Sequence, residues 1–254
     1  MPRYFIETAY KGTHFKGFQA QLNAISIQGE INKALKTILK DAIQTTTSSR
    51  TDAGVHALQN FLHFDTEHPL ASSILYNLNS ILHEDILIKR ITKVSDTAHA
   101  RFDAIARDYT YHIVSRKHPF LRETSYFVPF PLDIDQMNEA AAILHTHTHF
   151  ESFCKRNTDV KTFECRISNS FLEKKGEEII YYVSSNRFLR GMVRAIIGTL
   201  ILVWRKKISS KNFEEIILSA DCSQADFSAP AHGLFLERVH YPALFFEDTQ
   251  KEKM

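Results

Sequence analysis

The chain has 254 residues, 44% hydrophobic and 24% charged, ordinary proportions for a globular protein and a length for one large domain or two of roughly 100 to 150 residues. No apolar run reaches the ~18 residues of a membrane span, no charged-then-apolar leader opens the chain, and Cys154, Cys165 and Cys222 form no C-x-x-C pair; the expectation is reduced thiols in the cytoplasm and no membrane partner. The formal net charge of +2 argues weakly against nucleic acid until its distribution is considered.

Arg3–Tyr10 alternates like a strand, and 11–18, with two glycines and two lysines, reads as a loop. From Ser26, an N-cap, Ile31, Ala34, Leu35, Ile38, Leu39, Ala42 and Ile43 make one helical stripe. Thr46-Thr-Ser-Ser-Arg-Thr-Asp52-Ala-Gly-Val-His-Ala-Leu58 follows. Ser, Thr and Asp bond their own backbone and Gly54 permits a turn that few residues tolerate, so this is loop chemistry. Asp52 then sits on a tight loop opening a buried strand at 58–65. Arg50, two residues away, is placed to hold its carboxylate ionised. An Asx turn with a surface ion pair is the alternative for these residues alone. A helix around Leu70–Leu82 and a strand at Ile86–Val94 complete a strand–helix–strand–helix–strand order, which fits a split β-α-β sheet with helices on one face.

Ala100–Val114 reads as one long strand, with Arg107, Tyr109, Tyr111 and Ile113 on one face. That row is either a base-stacking or phosphate-binding edge or simply a half-buried sheet face. Asp133-Ile-Asp-Gln136 resembles a capping box opening a helix through Leu144. His145, His147 and His149 match no zinc spacing and read as solvated, so no metal is assigned. Thr162–Leu172 and Glu178–Ser185 form a hairpin. In the next helix Phe188, Met192, Ile196, Leu200 and Leu189, Val193, Ile197, Ile201 make adjacent i, i+4 rows. Arg190 and Arg194 flank that face and Arg187 lies opposite it. Packing can anchor Arg194 while its guanidinium reaches a cleft. A Ser209/Ser210 cap leads a last helix to about Ala220, Gly233–Tyr241 closes as a strand, and the charged tail after Glu247 is expected to fray.

Between Glu178 and Glu214 there is no acidic residue, yet Arg187, Arg190, Arg194, Arg205, Lys206, Lys207 and Lys211 fall there. Such clustering is what phosphate binding requires, although a solvated helix face is the alternative. An aspartate loop, an arginine–tyrosine strand and a basic helix in one α+β protein point to a nucleic-acid site with a single working carboxylate. No second carboxylate shares its setting, which disfavours glycoside hydrolysis. The absence of Gly-x-Gly-x-x-Gly, Walker and Gly-x-Ser-x-Gly motifs disfavours nucleotide cofactors, NTP hydrolysis and serine esterase chemistry.

The sequence closely resembles the TruA family, tRNA pseudouridine(38-40) synthase, over almost the whole chain. The matching motifs are Tyr10-Lys-Gly-Thr-His-Phe-Lys-Gly-Phe-Gln19, Ser49-Arg-Thr-Asp-Ala-Gly-Val-His56, Ala100-Arg-Phe102, Arg107-Asp-Tyr-Thr-Tyr111, Phe153-Cys-Lys155, Phe188-Leu-Arg-Gly-Met-Val-Arg194 and Gly233-Leu-Phe-Leu236. The resemblance implies an isomerase with Asp52 as nucleophile, Arg50 and Arg194 as its charged partners, and Tyr109 stacked on the target uracil. Arg107, Arg101 and Arg190, within the same motifs, join Tyr109 as substrate-binding residues. It further implies an α+β fold of two ferredoxin-like halves, 1–105 and 106–254, whose mainly antiparallel sheets join, with helices on one side and the active-site cleft between them. The implied partners are tRNA and a second copy of the chain in a homodimer. Detaching uracil from ribose C1′ and reattaching it through C5 oxidises nothing, so no cofactor, metal or ATP is expected. Ser49, His83 and Leu202-Val-Trp204 depart from the family pattern, which has glycine, proline and a Val-Gly-x-Gly turn there. Two weaker readings are an RNA-binding protein of the same fold without catalysis and a carboxylate hydrolase acting on a nucleoside.

Overall fold

The computed structural model describes residues 1–246 apart from 157 and 159; the charged tail lies outside them. In chain order the elements are β1 (Arg3–Tyr10), α1 (Ile27–Leu39), β2 (Thr46–Thr47), β3 (His56–Asp65), α2 (Ile74–Ile81), β4 (Ile86–Val94), β5 (Ala106–Val114), β6 (Tyr126–Phe127), α3 (Ile134–Ile143), β7 (Ile167–Lys175), β8 (Glu178–Ser185), α4 (Met192–Trp204), α5 (Ser210–Leu218) and β9 (Leu234–His240). β1 with β3, β1 with β4, β2 with β3, β5 with β8 and β7 with β8 pair antiparallel, and β5 pairs parallel with the short β6, so the fold is α+β. No helix among the described residues is long and apolar enough to cross a membrane.

Two compact units emerge, Met1–Ile105 with Leu236–Met254, and Ala106–Phe235. The division at 105 and 106–254 expected from sequence differs in its C-terminal part. Specific bonds draw the closing residues to the first unit: Ile105 N–H donates to His240 O at 2.8 Å. Val239 N–H donates to Gln59 Oε1 at 3.2 Å and the Tyr241 hydroxyl to Ala100 O at 2.6 Å.

In the first unit the strand order is β4-β1-β3-β9, with β2 added on β3. Ser26 caps α1, its hydroxyl accepting from Gly29 N–H at 3.3 Å. Ile27, Ile31, Ala34 and Leu35 form the buried stripe, and burial of each isoleucine or leucine in it contributes about 1.5–3 kcal/mol. The helix stops at Leu39 because Lys40 turns left-handed at φ 55°. Ile43, expected on the same stripe, is buried from the following loop instead. The α2 helix is likewise shorter than 70–82 and packs on β4 and α1.

In the second unit β5, β8 and β7 are neighbours in that order, and α3 packs on β7, α4 and α5. Asp133 caps α3 by accepting from Gln136 N–H at 3.0 Å. A complete capping box, Ser209 with Asn212, opens α5. The hairpin's first strand starts at Ile167, five residues later than Thr162. Two further expectations change. Residues 100–105 are not strand: the chain turns through Ala98–Asp103, where the His99 Nδ1 accepts the N–H groups of Arg101 and Phe102 at 3.1 and 3.3 Å. The helix expected from Phe188 begins only at Met192, because Gly191 at its N-cap has φ 74°. Arg187 and Arg190 therefore precede α4 rather than lie on its faces.

Candidate active site

The first unit builds the Asp52 loop on a buried polar network. Asn60, fully buried on β3, donates from Nδ2 to Ser49 O at 3.0 Å and to the Tyr10 hydroxyl at 3.2 Å. Its Oδ1 accepts from the Ser48 hydroxyl at 2.8 Å. Tyr10 and Thr51 share a hydrogen bond of 2.8 Å between their hydroxyls. The backbone is fixed too: Ser48 N–H donates to Phe61 O, Phe18 N–H to Thr51 O and Val55 N–H to Asp52 O, at 2.8, 3.0 and 3.1 Å. Gly12 lies so close that a Cβ there would meet Val55 O at 2.1 Å. Such a satisfied network stiffens what it supports, and it leaves the Asp52 side chain half-buried. The sequence marks Tyr10 only as the start of a matched motif and gives Asn60 no role; an asparagine inside the apolar run Leu58–Phe64 is the signal for a buried polar support.

Arg50 does not clamp Asp52. Its exposed side chain makes no hydrogen bond or ion pair with any described residue. It lines instead a cavity of about 200 Å³ whose wall also holds Gln19, Thr46, His99, Arg101 and Phe102. The sequence places Arg50 near Asp52 along the chain, but in the fold the residue lines the cavity. Arg101 is exposed, with its guanidinium 5.9 Å from the Phe102 ring centre.

The second unit carries the other expected residues. Tyr109 is half-buried, its ring edge-on to Phe188 at 5.0 Å and 83°. Arg107 Nη1 donates to Asn186 O at 3.0 Å. Tyr111, which shares their strand face, is fully buried and cannot stack on a ligand. Its hydroxyl donates to Pro230 O at 2.8 Å, and burial pushes its pKa up, against the pull of the Arg194 charge, so it stays a donor. Arg194, half-buried on α4, donates from Nε to Ala229 O at 2.7 Å. Tyr111 and Arg194 thus grip adjacent carbonyls of one segment. Arg190 is exposed, and its carbonyl accepts Lys155 N–H at 2.9 Å, which joins two of the matched motifs.

The histidine run does not converge. His145 bonds Ile167 O, His147 Glu214, and His149 both Glu151 and Glu164. Residues far apart in sequence do converge at His14, His83 and Asp85, with His14 Nδ1 2.7 Å from Asp85 Oδ2 and His83 Nδ1 3.8 Å from it. His83 Nδ1 accepts Asp85 N–H at 3.1 Å, so this side chain braces the turn where the family pattern has proline.

A family model described as tRNA pseudouridine synthase matches residues 140–242. The chain is 43% identical to "tRNA pseudouridine synthase A" of Bacteroides thetaiotaomicron, over 99% of its own length and 95% of the relative's. It is 45% identical to the protein of that name from Bacteroides fragilis, over 96% and 98%. The Staphylococcus aureus (strain bovine RF122 / ET3-1) protein is 35% identical over 94% and 90%. Among solved structures, a chain of a Cas6-RT-Cas1–Cas2 complex aligns with 80% of this chain and 42% of its own at 9% identity and a TM-score of 0.23, a likeness that carries no argument. With this identity sustained over nearly the full length of both chains, the chain belongs to the tRNA pseudouridine synthase A family.

Proposed function

We propose that the protein converts uridine to pseudouridine in the anticodon stem-loop of tRNA, at positions 38–40, with Asp52 as the nucleophile. The observation that carries this reading is the Asp52 loop: a rigid, hydrogen-bonded turn holding one half-buried carboxylate, in a chain 43% identical to a tRNA pseudouridine synthase A. The reaction breaks the bond from ribose C1′ to uracil N1 and forms one from C1′ to C5; the C5 proton leaves and N1 takes one up. Whether the carboxylate adds to C6, adds to C1′ or acts as a base through a glycal, it must be ionised and next to the base.

Tyr109 supplies the ring on which the extruded uracil rests, with Phe188 bracing its side. Arg194, whose Nε is held on Ala229 O, is in this reading the source of positive charge for the carboxylate. Arg50 acts through the local potential and the RNA backbone rather than through an ion pair with Asp52. Arg101, Arg107 and Arg190 take phosphates, joined by the acid-free basic segment from Arg187 to Lys211. The working form is a cytoplasmic homodimer that shares one tRNA across two copies.

The test is to incubate the protein with unmodified tRNA, map pseudouridine at nucleotide resolution and weigh the protein by light scattering. Pseudouridine confined to positions 38–40 and a dimer mass are expected. Release of free uracil instead would identify a nucleoside hydrolase and overturn the reading. A fully active monomer would remove its dimer part.

A further inference from the structure

We propose that Phe102, His99, Arg50 and Arg101 form a seat for a second, non-reacting nucleotide of the RNA, whose base stacks on Phe102 while its phosphate meets the guanidiniums. This rests on the tRNA reading above and assigns that substrate a contact away from the target uridine.

The Phe102 ring is 75% exposed, yet it is not loose. Its inner face lies on the His99 imidazole at 4.2 Å between ring centres and 32° between planes. His99 in turn meets His63 edge-on at 4.7 Å, and His63 is buried on β3. The turn beneath is closed by His99 N–H to Asp103 Oδ2 at 2.7 Å and by the two N–H groups that His99 Nδ1 accepts. That acceptance requires Nδ1 unprotonated, and burial with the nearby Arg3 charge holds the His99 pKa below its ordinary value. The imidazole is therefore a neutral backing ring. Phe102 is an apolar plate backed by His99, three-quarters exposed, with the Arg101 guanidinium over its ring at 5.9 Å.

A single exposed aromatic needs no explanation; its company here does. The Arg101 guanidinium lies over the ring, and Arg50 lines the same cavity without a hydrogen bond or ion pair to any described residue. Exposed Gln19 and Thr46 also line it, and neither side chain is engaged by a described residue. Gln28, by contrast, is already used by Ala20 N–H and Thr45 O. A flat ring beside two cations, with one amide and one hydroxyl unspent, matches a nucleotide's base, phosphate and polar edge. An apolar peptide would leave the Arg50 guanidinium unused.

The experiment compares wild-type protein with Phe102→Leu and Phe102→Trp on an unmodified anticodon stem-loop, and on copies with one nucleotide at a time made abasic. Leucine keeps apolar bulk but removes the stacking face, and at an exposed site the melting temperature should hold. Phe102→Leu should raise Kd and KM by about five- to a hundredfold, with kcat changed less than about twofold. Phe102→Trp should bind like wild type. At one abasic position wild type should lose affinity while Phe102→Leu loses no more; that position names the seated nucleotide. Unchanged affinity in Phe102→Leu, or equal losses at every abasic position for both proteins, would overturn the seat. A wild type that shows this binding pattern but forms no pseudouridine supports the seat and overturns the proposed reaction instead.

Discussion

Acid should destabilise this fold first through His63. The residue is 6% exposed on β3, and its Nδ1 accepts Ala100 N–H at 3.1 Å. Burial, then the charges of Arg3 and His99, lowers its pKa from 6.5 to about 4. In the unfolded chain the imidazole takes a proton near its ordinary value; in the folded protein it does not until about pH 4. Between those values the unfolded state binds one more proton, so stability rises with pH by about 1.4 kcal/mol per unit. His63 therefore contributes its full share above pH 6.5 and loses about 3 kcal/mol as pH falls to 4. Asp65, held below its ordinary value chiefly by its hydrogen bond from Arg3, loses its contribution only at lower pH. His99, lowered by burial as well, acts with the same sign as His63, so the informative quantity is a difference. Urea unfolding of wild type and His63→Gln between pH 7 and 4.5 should show wild type losing roughly 2–3 kcal/mol more than the variant. Parallel curves would refute the assignment of this slope to His63.

Three further outcomes are expected. Gly12→Ala drives a Cβ against Val55 O at 2.1 Å, a backbone atom that cannot rotate away; unfolding should come about 2–4 kcal/mol earlier, read from the urea midpoint. Replacing Arg187, Lys206 and Lys207 with Ala should weaken tRNA binding and flatten its salt dependence by roughly 0.7 to 0.9 slope units per lost phosphate contact; an unchanged slope would show that these side chains face only solvent. Tyr109→Phe should keep tRNA affinity while Tyr109→Leu loses about 1–3 kcal/mol; a phenylalanine variant that binds normally but is as inactive as leucine would give the hydroxyl a chemical role.

What the sequence made legible divides by the range of the forces involved. The β1 and β4 strands and the start of α1 rest on alternation and on a capping serine, signals contained within a few residues, and they appear where expected. The end of α1 rests on Lys40 adopting φ 55° without a glycine to announce it. Ala100, Phe102 and Ala104 alternate like a strand, but the His99 side chain captures the N–H groups that a ladder would use. Phe188 and Leu189 continue an apolar helical row in sequence, yet Gly191 breaks the backbone before the helix starts. At the site, Asp52, Tyr109 and Arg194 stood out by motif. Adjacency in sequence did not reveal the cavity that Arg50 lines, because Gln19, His99, Arg101 and Phe102 are brought to it from elsewhere in the chain. The support from Asn60 and Tyr10 depends on the register of β1 against β3, which pairs distant residues.

The central assignment is Asp52 as nucleophile, and Asp52→Asn tests it most directly. Asparagine keeps the shape and forms Asx turns as aspartate does, but it lacks the charge and most of the nucleophilicity. Affinity for tRNA comes mainly from spread phosphate contacts, so Kd should stay within about threefold of wild type. With circular dichroism and melting temperature unchanged, pseudouridine formation should fall below detection. A well-folded Asp52→Asn protein that still forms pseudouridine would contradict the nucleophile assignment.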